Sequence, residues 1–162
     1  MVILGVDPGT NRAGYGLIKK EGGSLSLLAY GCVEVEANSD RNKGLVILYD
    51  SFVKIIKKYK PEVLVIEKLF FFKNAKTITQ VSEARGVIIL AGLKSGLEIR
   101  EFTPLQIKQA VSAYGRANKQ AVQKMVRLIL SLDKDPQPDD AADALAAAIC
   151  CANSSRIADL MA

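Results

Sequence analysis

The sequence predicts an α/β domain on a mixed five-stranded sheet: a three-strand antiparallel meander plus two parallel strands, flanked by helices. Three observations predict it. Val2–Val6 and Val63–Ile66 are apolar runs, each closed by one carboxylate (Asp7, Glu67), as in strands buried on both faces. Two further strand-like segments follow the first run across short turns. From residue 43 the apolar period lengthens to that of a helix, and helices then alternate with strands, which lays the later strands parallel.

The elements follow in order. Pro8-Gly9 ends the first strand, and residues 13–20 form the second. Glu21-Gly22-Gly23-Ser24 is a hairpin turn signal. Residues 25–36 alternate, which puts Leu25, Leu27, Ala29, Gly31, Val33 and Val35 on one face. Leu45, Leu48, Tyr49, Phe52, Ile55, Ile56 and Tyr59 fall at helical spacing, with Asp40 as the cap and Pro61 beyond the end. Residues 63–67 form a strand, 68–76 a basic aromatic connection, 77–95 a largely apolar helix and 97–102 a short strand. Thr103-Pro104-Leu105-Gln106 has the form of a capping box, opening a helix to about Ala113. After a break at residues 114–117, Asn118 caps a helix to about Leu132. Residues 139–152 form an alanine-rich last helix. Residues 1–153 are expected to make one domain, and residues 154–162 a fraying tail.

Composition removes whole classes of chemistry. The 162 residues contain no histidine, which excludes Ser-His-Asp, Cys-His and imidazole–metal sites. Any metal must be held by oxygen, which favours Mg²⁺, Mn²⁺ or Ca²⁺. Cys32, Cys150 and Cys151 include no CxxC pair, so they read as small core residues. No apolar run has the length of a membrane span and a strand begins almost at once, so the cytoplasm is the expected compartment. The net charge of +5 is concentrated in the middle, where residues 54–127 carry 15 Lys/Arg against 5 Asp/Glu. A basic centre suits a phosphate backbone, although Lys54, Lys57 and Lys58 read better as a solvated helix face.

Asp7 and Glu67 would share one sheet edge if their strands are neighbours. Asp140 and Asp143 are three apart and share a helical face. Asp139 reads better as a helix cap or dipole partner. Four carboxylates brought together repel one another, which calls for a cation. Two Mg²⁺ ions about 3.5–4 Å apart are the usual arrangement in phosphodiester chemistry.

GVDPGTNRAGYGLI, VLVIEKLFF, FTPLQIKQAVSAYGRANKQAVQKMV and DDAADALAAAIC, in that order over residues 2–152, resemble the RuvC family of bacterial Holliday-junction resolvases. The resemblance implies a ribonuclease-H-like three-layer fold of the integrase superfamily. It implies a homodimer that cuts four-way DNA junctions with divalent metal, Mg²⁺ or Mn²⁺ in its place, and works with the RuvA–RuvB branch-migration machinery. The family's acidic quartet falls on Asp7, Glu67, Asp140 and Asp143, and its base-stacking aromatic on Phe70. Lys108 and Lys119 match basic positions of its DNA face, and the helix at 77–95 is its dimer contact. Lys68, Lys73 and Lys76 fit a backbone-tracking groove, and Arg116, Lys124 and Arg127 further phosphate contacts.

Lys119 has a separate argument. A cation in a first helical turn opposes the helix dipole, so its presence needs a reason, and phosphate binding at that helix N-terminus is one. Three other functions fit parts of the sequence. Asp7-Pro8-Gly9-Thr10 resembles the first phosphate loop of actin-like ATPases, but those need two such domains. A non-catalytic junction binder would not bring four negative charges to phosphates. A nuclease for RNA–DNA hybrids is less favoured by the basic block from Phe102 to Val126.

Overall fold

A computed structural model describes residues 1–9, 11–35, 40–69, 78–112, 115 and 117–160. The strands are β1 (Val2–Asp7), β2 (Arg12–Glu21), β3 (Ser24–Glu34), β4 (Val63–Glu67) and β5 (Glu98–Phe102). The helices are α1 (Arg41–Tyr59), α2 (Ile78–Lys94), α3 (Pro104–Ser112), α4 (Lys119–Ile129) and α5 (Asp139–Leu160). The sheet order is β3-β2-β1-β4-β5. β1–β2 and β2–β3 are antiparallel, while β1–β4 and β4–β5 are parallel. The meander and the two parallel strands are as expected.

Local chemistry sets the boundaries. Gly22, at φ 57°, makes the hairpin turn. The Asp40 side chain accepts from Asn42 N–H to start α1, and Lys60 in the left-handed region ends it. Thr103 and Gln106 make both capping-box bonds, at 3.2 and 2.8 Å. The Asn118 side chain accepts from Ala121 N–H at 2.8 Å and opens α4.

The sheet separates two cores. Ile3, Ile18, Val63 and Val65 face α5, with α3 and α4 behind it. Leu4, Leu17, Leu64 and Ile66 face α1 and α2, around Phe52 and Ile88. Two expectations change here. A bulge between Leu17 and Ile18 pairs Leu17 with Ala29 but Ile18 with Leu27, leaving Leu28 as the extra residue. Leu25 and Leu27 therefore pack on the α5 side, while Ala29, Val33 and Val35 pack on the α1 side, instead of sharing one face. Helix α5 also runs on to Leu160 rather than stopping at residue 152. Ser154, a weak helix former, donates its hydroxyl to the Cys150 carbonyl at 2.8 Å and stays within the helix. Cys150 and Cys151 are buried in the core as expected; Cys32 on β3 is only half-buried.

Candidate active site

Parity carries Asp7 and Glu67 to one place. β1 and β4 lie parallel, with Ile3 beside Val63 and Val6 beside Ile66. Side chains alternate along a strand, so Asp7 and Glu67 share the face of Ile3 and Val63, the face covered by α5. One more step of the same register sets the two carboxylates side by side at the strand ends. Beyond Glu67, the Lys68 N–H bonds to the Phe102 carbonyl at 2.8 Å and fixes the exit of β4 beside β5.

Small residues bring α5 to this edge. A Cβ on Gly5 would run into the Ala144 carbonyl oxygen, and one on Gly14 into the Asp140 carbonyl oxygen. The helix lies backbone to backbone on the sheet, with Ala141, Ala142, Ala144, Ala146, Ala147 and Ala148 buried beneath and around it. Asp140 is thereby seated over Gly14, and Asp143, one turn further, lines a cleft with Asp7 and Glu67. The cleft has a volume of about 560 Å³, and Lys68, Lys108 and Lys119 stand on its walls.

The electrostatics match the crowding. Burial, then the charges of Asp143, Glu67 and Asp140, push the Asp7 carboxyl up to about 7, against a smaller opposing pull from Lys119. Glu67 is raised by burial and by Asp143, with Lys108 opposing. Asp143 is raised by burial, and Lys119, whose Nζ is 3.2 Å from its Oδ2, pulls it back. The same ammonium is 3.4 Å from Asp139. Asp139 also accepts from the side-chain amide of buried Gln123 at 2.7 Å, which holds its carboxyl below the usual range, with help from Lys119. Arg12 Nε donates to Asp140 Oδ2.

All four acidic candidates thus lie at one end of the sheet, under or beside the first turns of α5. As they stand, among the described residues no three acidic side chains converge closely enough to enclose one ion. Arg12 and Lys119 already engage oxygens of Asp140 and Asp143.

Of the basic candidates, Lys68, Lys108 and Lys119 face the cleft. Lys119, in the first turn of α4, lies within reach of two carboxylates, Asp139 and Asp143. Lys124 is exposed on α4 but stands off the cleft wall formed by Lys119 and Val122. Arg127 pairs with Asp135 at 3.2 Å. Phe70, Lys73, Lys76 and Arg116 lie outside the described residues. Sequence reasoning missed Arg12 and Gln123. The available signal for Arg12 was its parity with Gly14 on β2, which puts it on the α5 face; nothing local marked Gln123.

The family model for "Crossover junction endodeoxyribonuclease RuvC" matches residues 3–151. The chain belongs to the RuvC family. Among RuvC proteins, that of Heliobacterium modesticaldum is 51% identical over 154 residues, 95% of each chain. That of Halothermothrix orenii is 50% identical over 157 residues, 97% of this chain and 95% of that one. The Thermus thermophilus RuvC structure in complex with Holliday junction substrate superposes with a TM-score of 0.92 at 30% identity, covering 98% of this chain and 96% of that one. The three-layer arrangement is therefore the ribonuclease-H-like fold of RuvC.

Proposed function

We propose that this chain is a crossover junction endodeoxyribonuclease: it resolves four-way DNA junctions in recombination and repair by hydrolysing phosphodiester bonds. The observation that carries this reading is the side-by-side register of Asp7 and Glu67 below Asp143, in a cleft walled by three lysines. Family membership over nearly the whole chain supports the junction as substrate.

Asp7, Glu67, Asp140 and Asp143 would hold two divalent cations, Mg²⁺ or Mn²⁺ in its place. The donor set fits them: it is all oxygen, and a cation would offset both the burial and the neighbouring charges of Asp143, Glu67 and Asp140 that raise the Asp7 carboxyl. Such ions would supply activation of the attacking water and charge to stabilise the leaving 3′ oxygen, giving products with a 5′-phosphate and a 3′-hydroxyl. The chain's own part is to orient. Gly5 and Gly14 set the height of α5 above the sheet and so the spacing of Asp140 and Asp143 from Asp7. Lys108 and Lys119 receive the phosphates at the cleft, and Lys68 follows the backbone at its rim. Phe70 stacks on a base near the junction centre, worth about 1–3 kcal/mol. Lys73, Lys76, Arg116 and Lys124 extend the basic track.

A four-way junction has two-fold symmetry, so paired cuts need two active sites. The reading includes a homodimer through α2, which leaves Leu90 and Leu93 exposed at 50% and 58%. It also includes a partnership with RuvA–RuvB and a cytoplasmic location. No helix among the described residues is long and apolar enough to cross a membrane.

The test compares a synthetic four-way junction, a linear duplex and an RNA–DNA hybrid, each with Mg²⁺ and with chelator. Paired nicks on the junction alone, only with Mg²⁺, are expected. Equal cutting of the linear duplex, or cutting of the hybrid alone, would refute the reading.

A further inference from the structure

Arg12 opens β2 with the parity of Gly14 and Ile18, so it stands on the α5 side of the sheet. Its Nε donates to Asp140 Oδ2, and this charge-assisted bond is the main reason the guanidinium holds its proton more tightly than usual. Its cross-strand partner on β3 is Glu34, which faces the same way. The Arg12 side chain is 43% exposed and that of Asp140 26%. A pair this open to water contributes little to stability.

Like Lys119 on Asp143, Arg12 occupies an oxygen of a carboxylate assigned to the metal. A guanidinium hydrogen bond and a hard cation compete for the same carboxylate oxygen. Any ion held by Asp140 must share or displace Arg12. Glu34, across the strand pair, is one anionic group beside the guanidinium, and a DNA phosphate brought to this exposed edge would be a second.

We propose that Arg12 is an internal counter-ion of the active site: it holds Asp140 until junction phosphate draws it off, which opens Asp140 to the metal. DNA binding and metal binding then reinforce one another, each tightening the other by the same factor. Arg12 is a positioning residue in this scheme, acting through Asp140. The inference rests on the metal-dependent reading above.

The test uses the full chain and calorimetric titration of Mg²⁺ into the free protein, beside junction binding in chelator across a salt series. Arg12→Gln is expected to tighten Mg²⁺ binding to the free protein by roughly three- to tenfold. It is expected to weaken junction binding and to flatten the salt dependence by about one phosphate contact. Arg12→Lys keeps the charge and is expected to retain the salt dependence. In an Asp140→Asn background, Arg12→Gln is expected to change Mg²⁺ affinity no further. Unchanged or weaker Mg²⁺ binding in Arg12→Gln, with normal binding by the unaltered protein, would overturn this inference alone. Absence of Mg²⁺ binding by the unaltered protein would overturn the metal-dependent reading together with it.

Discussion

On the α5 side the sheet offers Gly5 and Gly14, and the helix backbone at Ala144 and Asp140 comes down on them, so backbone meets backbone. On the other side Leu4, Leu17, Leu64 and Ile66 meet Leu48, Phe52 and Ile88, and long side chains keep α1 and α2 at a distance. The α1/α2 side buries Phe52 and meets the sheet through side chains. At Gly5 and Gly14 an added methyl would meet helix backbone rather than a side chain, so it must move the helix. That helix carries Asp140 and Asp143. One side therefore mainly supplies stability, while the other converts packing directly into the placement of charge.

Four measurements would break or sharpen this contrast. The largest effect is expected at the acidic end itself. Asp7→Asn should lower junction cleavage by on the order of a thousandfold or more while junction affinity stays within a few-fold, read by single-turnover cleavage and by binding in chelator. Retained cleavage would remove Asp7 from the site.

Gly14→Ala should come next. The new methyl meets the Asp140 carbonyl and lifts the first turn of α5. Cleavage should fall by roughly ten- to a hundredfold, more than the loss of folded protein explains. A matched loss of stability with normal turnover by the folded fraction would mean that α5 has slack after all.

The third measurement is a pH series of unfolding free energy without divalent ions. Folding raises the Asp7 carboxyl from 3.8 to about 7, so the folded state binds the proton more tightly than the unfolded chain. Stability is then unpenalised below the unfolded value, is lost as pH rises from about 4 to about 7, and levels off above. Asp7→Asn should remove much of that slope and stabilise the protein above neutral pH by on the order of 4 kcal/mol. A slope unchanged in Asp7→Asn would assign the crowding to the other carboxylates.

The smallest effect is expected on the far side. Ile88→Val should cost about 0.5–1.5 kcal/mol by denaturant unfolding. Its turnover per folded molecule should match that of the unaltered protein. A turnover defect there would show that the α1/α2 layer also sets the site.

Much of the site was legible because its signals are local. A carboxylate closing an apolar strand, twice, needs only periodicity to be seen. Asp140 and Asp143 need only helical spacing, and the absence of histidine narrows any metal to oxygen ligands. The caps at Asp40, Thr103 and Asn118 are likewise interactions over two or three residues. The single face assigned to β3 failed because a bulge inserts one residue without a signature in the local alternation. The helix end at residue 152 failed because a serine can satisfy its hydroxyl inside a helix as well as at its end.

By itself, the sequence determined the order of elements and marked four carboxylates as candidates, since each follows from short-range period and turn chemistry. Only the tertiary structure decided which side chains meet the acidic groups at this end of the sheet. Arg12 reaches Asp140 across 128 residues of chain, and Gln123 reaches Asp139 across 16. Such pairs depend on strand register and on the height of α5 above Gly5 and Gly14, which no local pattern encodes.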